Sequence, residues 1–140
     1  MIDRPQRKII DQLFNMAQDV HPVSKARVVA ALVYKNKIVS YGFNQRKTHP
    51  LAAKFCKNPE ANMLHAEVHC IRNAINKYGV DFLKKCTMYV ARAKLKNDRE
   101  TFEWGMAKPC SGCSSAIVKF GIKKVIYTTN THNHVGIGYY

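Results

Sequence analysis

Two short groups of metal-ligating side chains place the tightest limit on how this chain can fold. Leu64-His65-Ala66-Glu67-Val68-His69-Cys70 and Lys108-Pro109-Cys110-Ser111-Gly112-Cys113 lie well apart in the sequence. A catalytic zinc takes three protein ligands and keeps a fourth position open, and Cys-Cys-His is one of the known sets. His65, Cys110 and Cys113 can supply it if the fold brings two helix starts together. Cys110 and Cys113 are three residues apart, so both sulfurs can face one side of a helix. Unpaired N–H groups and the dipole at a helix N-terminus favour the thiolates a metal needs. Glu67 is too close to His65 to be an obvious second ligand, but it can lie beside the open position as a proton carrier. Zinc there would lower the pKa of its bound water towards ~7.

The remaining elements are read around these two motifs. Residues 5–20 place Ile9, Ile10, Leu13, Phe14, Ala17 and Val20 at helical spacing, with Pro5 in the first turn and His21-Pro22 as a stop. Arg27 to Tyr34 and Lys37 to Asn44 read as strands joined by a tight turn at Lys35-Asn36, an antiparallel hairpin. A long basic loop follows, through Gln45-Arg46-Lys47-Thr48-His49-Pro50 and Lys54-Phe55-Cys56-Lys57 to Asn58-Pro59. Asn62 is the expected N-cap of a helix from about Met63 to Tyr78, closed by Gly79. Cys86 to Ala93 reads as a strand, and Leu95 to Lys108 as an extension or protruding hairpin carrying Trp104. Pro109 is expected to open a helix to about Phe120, followed by a strand over Lys124–Thr129 and a tail from Asn130 to Tyr140. Strands separated by helices imply parallel neighbours. The expected fold is therefore α/β, a three-layer α/β/α sandwich with a mixed sheet, in one domain spanning residues 1–140.

Composition narrows the setting. The 23 Lys and Arg against 9 Asp and Glu give a net charge of +14, which favours polyanionic or phosphorylated ligands or a merely solvated surface. The five cysteines and an N-terminus without the apolar core of a secretory signal argue against a disulfide framework and predict a reducing, cytoplasmic setting. No apolar run approaches the roughly 20 residues needed to cross a bilayer, so no membrane partner is expected.

His-x-Glu followed by Pro-Cys-x-x-Cys is the signature of zinc nucleobase deaminases. From about residue 25 to 129 the sequence resembles the cytidine and deoxycytidylate deaminase superfamily. Arg27-Val28-Val29-Ala30-Ala31-Leu32-Val33 looks like the family's first strand, Gly42-Phe43-Asn44 like its substrate-contacting turn, and Lys108 to Cys113 like its cysteine motif. The resemblance implies that His65, Cys110 and Cys113 bind Zn2+ and that Glu67 is the general acid and base. It implies also that Asn44 hydrogen-bonds the sugar or base, that backbone around Ala66 holds the pyrimidine edge, and that the protein is a homo-oligomer. Lys108 stands where tRNA adenosine deaminases typically carry glutamate. Lys108 and Arg46 are taken as candidate substrate contacts, and with Lys47, Lys54 and Lys57 the basic loop can meet phosphate or simply be solvated.

The leading expectation is deamination of cytosine in a free nucleotide, with dCMP the favoured substrate. Deamination within RNA or single-stranded DNA and a nucleic-acid-binding module with a structural zinc are the alternatives. His65 and His69 share the spacing of zinc proteases, but those need Glu directly after the first His, where Ala66 stands. His69 is thus read as a helix-face side chain and Cys70 as core. Cys56 and Cys86 are expected to be buried or partly buried thiols, with a second zinc on His49 and Cys56 as the rival reading. Solvation is expected for His132 and His134, and packing, a subunit contact or base stacking for Trp104, Tyr139 and Tyr140.

Overall fold

The computed structural model describes residues 3–22, 26–45 and 64–140. The first helix, α1 (Arg4–Gln18), begins with a reciprocal cap: Asp3 accepts from the Gln6 backbone N–H, and the Gln6 side chain accepts from the Asp3 N–H. It buries Ile9, Ile10, Leu13 and Ala17, the stripe its periodicity predicts.

Strands β1 (Arg27–Tyr34) and β2 (Lys37–Phe43) form the expected antiparallel hairpin. Lys35 and Asn36 both take positive φ, 51° and 63°, as the tightest hairpin turn requires. Next come helix α2 (Ala66–Tyr78), a 3-10 turn over Val80–Lys85, and strands β3 (Thr87–Leu95) and β4 (Phe102–Gly105). Helix α3 (Ser111–Lys119) and strands β5 (Lys124–Thr128) and β6 (Val135–Tyr139) complete the chain.

The six strands make one sheet in the order β2-β1-β3-β5-β6, with β4 also paired to β3. Only β3 and β5 run parallel, which makes the sheet mixed; α3 lies between them in sequence, as a parallel crossover requires. Side chains alternate between two cores. Ala30, Leu32, Met88 and Val90 face α2 and α3, while Val29, Ala31, Val33, Tyr89 and Ala91 face α1. This is the expected three-layer sandwich.

Three expectations change, and for Leu95–Lys108 the hairpin alternative is the one found. Helix α2 starts at Ala66, not Met63, because Leu64 is held in an antiparallel bridge to Gln45 through two backbone hydrogen bonds of 2.8 and 2.9 Å. The proposed cap Asn62 lies outside the described residues. Helix α3 starts two residues after Pro109, with Cys110 as its cap. The Leu95–Lys108 segment folds back as β4 along β3, and Trp104 is packed into the α1-side core. The C-terminal tail is a strand, β6, paired antiparallel to β5 along Lys124–Thr128.

Candidate metal centre

The N-terminal ends of α2 and α3 meet on the sheet face away from α1. His65 is the cap residue of α2, with extended backbone (φ −69°, ψ 149°), and so stands immediately before the helix rather than within it. Cys110 caps α3 in the same way, and the Cys113 backbone N–H points at its sulfur at 3.5 Å. Each cap position directs its side chain across the gap towards the other helix.

His65 Nδ1 is 3.2 Å from Cys113 Sγ and 3.6 Å from Cys110 Sγ. The three ligand atoms all lie within 4.8 Å of one another. Bonds of about 2.0–2.3 Å at tetrahedral angles put neighbouring donors on zinc roughly 3.5–3.8 Å apart. The imidazole and the two sulfurs therefore fit three corners of a zinc tetrahedron, and the set is soft enough to suit that ion. Among the described residues no fourth metal-ligating side chain joins the group.

The electrostatics favour a metal as well. The Cys110 thiol is brought down to about 3, first by its hydrogen bond with Cys113 and then by His65 and the Cys113 backbone N–H, against partial burial. A thiolate is the form that binds zinc. Glu67, in the first turn of α2, is 6% exposed. Burial pushes its carboxyl above the usual carboxylate range, opposed by its own backbone N–H and the neighbouring His65. Its side chain is also hydrogen-bonded to Cys113, so it sits against the donor set.

The ends of α2 and β2 are locked together. Gly42 packs so closely on α2 that a Cβ there would lie 2.2 Å from the Cys70 nitrogen and 2.4 Å from the Ala66 carbonyl oxygen. Ser40 Oγ donates to the Cys70 carbonyl at 3.0 Å, and the Cys70 thiol points back at the Ser40 carbonyl at 3.5 Å. Cys70 is fully buried and pushed up to about 12 by that burial, as a core thiol should be. His69 is more than the helix-face residue expected from spacing. Its Nδ1 accepts from the Phe43 backbone N–H at 3.1 Å and lies 3.0 Å from Gln45 Nε2. Gln45 is in turn the residue bridged to Leu64, next to His65. No sequence pattern announces this closed circuit, because it joins β2, the bridge and one turn of α2.

The other candidates are distributed as follows. Asn44 is buried, with Oδ1 accepting from the Val28 N–H and Nδ2 donating to the Ala26 carbonyl, both at 2.9 Å. Its side chain thus ties the end of β2 to the start of β1. Ala66 is buried as the first residue of α2, and Lys108 is exposed two residues before Cys110. Arg46, Lys47, His49, Lys54, Cys56 and Lys57 lie outside the described residues. His132 is exposed, with its ring edge-to-face on Trp104 at 5.0 Å; His134 and Tyr139 are exposed as well. Tyr140 packs against the core beneath α2 and α3, its hydroxyl 3.5 Å from Ser114 Oγ.

A three-layer sandwich with a Cys-Cys-His set at two facing helix starts, and a buried glutamate against it, defines a zinc-dependent hydrolytic enzyme of the nucleobase deaminase class. The family model for the cytidine and deoxycytidylate deaminase zinc-binding region matches residues 3–129, and the chain belongs to that family. Its fold is similar to that of cytidine deaminase from Burkholderia pseudomallei, with a TM-score of 0.64 and 17% identity over 99% of this chain and 93% of that one. It is similar also to dCMP deaminase from the cyanophage S-TIM5, with a TM-score of 0.58 and 19% identity over 94% of this chain and 88% of the other. Guanine deaminase from Bacillus subtilis gives a TM-score of 0.57 at 21% identity, over 91% of this chain and 65% of that one. No curated protein sequence matches the chain. The named substrates of these solved structures differ, so the shared fold does not select among them.

Proposed function

We propose that this deaminase converts cytosine in a free deoxynucleotide, dCMP, to uracil, releasing ammonia. His65, Cys110 and Cys113 would hold one zinc, which when bound supplies a water acidic enough to react near neutral pH. The observation that carries the reading is the position of Glu67, buried and against Cys113, with its proton affinity raised. A carboxyl in that state accepts a proton and hands it on to a pyrimidine ring nitrogen or the departing amine, the two transfers that replacement of NH2 by oxygen requires.

The first turn of α2 offers backbone groups at Ala66 to the pyrimidine edge. Asn44 retains a second lone pair on Oδ1 and a second hydrogen on Nδ2 beyond its bonds to β1, enough to meet a sugar hydroxyl. Arg46 and Lys108 are the candidate phosphate contacts. A nucleotide is supported by the net charge of +14 and by the likeness to a phage enzyme whose structure was solved with dCMP and dUMP. The same charge supports a second reading, deamination within a single strand. A structural zinc is disfavoured, because such sites are closed by a fourth ligand and have no use for a buried acid.

The test is ammonia release from zinc-loaded protein given cytidine, deoxycytidine, their mono- and triphosphates, and a cytosine-containing oligonucleotide. The highest kcat/KM is expected for dCMP. Conversion of the oligonucleotide alone would transfer the assignment to the second reading, and inactivity on every compound would overturn both.

A further inference from the structure

Among the described residues, the sheet face opposite the metal centre leaves Tyr41 and Phe43 exposed. Helix α1 packs on β1 and β3. The edge strand β2 stands beside it and turns Ile38, Tyr41 and Phe43 to the α1 side, opposite Val33, Ala31 and Val29. Two clefts follow this margin and share Tyr41. One, of about 590 Å³, is lined by Arg4, Lys8, Lys37 and Gln12 among others; the second, of about 210 Å³, is lined by Met16, Asp19, Val20 and Phe43 among others. Among the described residues, no acidic side chain lines the larger cleft.

We propose that this margin is a binding groove for single-stranded nucleic acid, distinct from the metal centre, with Arg4, Lys8 and Lys37 contacting phosphates and Tyr41 and Phe43 stacking on bases. Single-strand binders combine a positive groove with exposed aromatic faces, because phosphates attract the first and every base has a face for the second. Both parts are present here. Tyr41 and Phe43 are 37% and 45% exposed, high for aromatic side chains on a sheet. Two positions apart on one strand, they share a face at about 7 Å spacing, room for two separate bases. Gln12 Nε2 donates to the Tyr41 hydroxyl at 3.1 Å, and the Phe43 ring stands edge-on to His69 at 5.0 Å, so neither ring is loose. The cations lie at the hairpin end, and the far end is mainly apolar apart from Asp19 and His21, an arrangement that places phosphates near Arg4, Lys8 and Lys37 and bases near Tyr41 and Phe43. The proposal does not rest on the substrate assigned above, since Arg4, Lys8, Lys37 and Tyr41 lie on the α1 side of the sheet, across from His65, and only Phe43 at the β2 margin also touches α2 through His69.

The test is fluorescence anisotropy of the full chain with a labelled oligothymidylate, titrated at several salt concentrations. The charge-reversal set Arg4→Glu, Lys8→Glu and Lys37→Glu is compared with Lys84→Glu, Lys85→Glu and Lys119→Glu, an equal change in net charge at exposed positions on the other face. The groove set should weaken binding at least tenfold more than the control set and flatten the slope of log K against log salt by about 2, the value for three single-strand phosphate contacts. Tyr41→Leu, which keeps apolar bulk and removes the π face, should weaken binding several-fold with the salt slope unchanged. Equal losses from both charge sets, or no effect of Tyr41→Leu, would overturn the assignment. So would self-association through this face, sensitive to Tyr41→Leu, in a chain that binds no oligonucleotide.

Discussion

Cys113 Sγ lies 3.2 Å from His65 Nδ1 although the two residues are 48 positions apart in the chain. The contact brings together the first turn of α3 and the cap of α2, and it does so within a sheet framework that the rest of the chain supplies. A metal bound there gains its affinity from two elements that both come apart on unfolding, so binding and stability are linked.

Zinc should therefore raise the thermal unfolding midpoint. At a free concentration about 100 times Kd the added stability is about 2.7 kcal/mol. Calorimetry of chelated and reloaded protein reads the shift directly. In Cys113→Ser the shift should shrink to a small fraction of the wild-type value, and the zinc content after dialysis should fall from stoichiometric to near zero.

Gly42→Ala should destabilise the protein by about 1–3 kcal/mol or more, the usual cost of forced overpacking. The atoms a Cβ would strike are the backbone of Cys70 and Ala66, which cannot swing aside like a side chain. Because Ala66 follows His65, the same substitution should also weaken zinc binding. Urea denaturation and a competitive zinc titration measure the two effects separately.

Thr128 is fully buried where β4 and β5 come together. Its hydroxyl donates to the Gly105 carbonyl at 2.7 Å and accepts from the Arg92 N–H at 3.1 Å, ahead of the segment that leads to Cys110. Thr128→Val keeps the shape and removes both of these buried hydrogen bonds, so a loss of about 1–3 kcal/mol is expected. Hydrogen exchange of the Arg92 amide should accelerate with it.

The Asp98 carboxylate organises the β3–β4 turn, accepting from the Thr101 and Glu100 backbone N–H groups and from the Thr101 hydroxyl. These bonds bring it from an ordinary value of 3.8 down to about 2. A depressed carboxylate stabilises the folded state above its unfolded pKa and loses that contribution as pH falls through the folded one. The stability difference between wild type and Asp98→Asn should thus be constant above pH ~5, fall as pH drops through ~4 and ~2, and vanish towards pH ~1. A difference that persisted at the acid end would rule out this origin.

Local pattern made much of this architecture readable. The apolar stripe of α1, the Lys35-Asn36 turn and the His-x-Glu and Cys-x-x-Cys spacings are properties of neighbouring residues, and each has its counterpart in the structure. The starts of α2 and α3 were displaced because caps are decided by tertiary partners. Leu64 is spent on a bridge to Gln45, and Cys110 uses its own sulfur as the cap acceptor. Strand β6 was hidden by Gly136 and Gly138, which dilute its alternation; at Gly136 a Cβ would lie 2.2 Å from the Tyr127 ring, a constraint set by its partner strand. His69 and Gln45 were illegible for the same reason, since their role exists only once β2 lies alongside α2.

On the proposed function, the buried Glu67 carboxyl moves the protons of a deamination at a zinc held by His65, Cys110 and Cys113. Glu67→Gln tests it most directly, because the amide keeps the shape of the carboxyl and cannot take up the proton. The variant should retain stoichiometric zinc by metal analysis while kcat for dCMP falls by about 10²–10⁴-fold, the range for loss of a general acid-base group. Zinc-loaded Glu67→Gln that releases ammonia from dCMP at the wild-type rate would rule out Glu67 as the proton carrier.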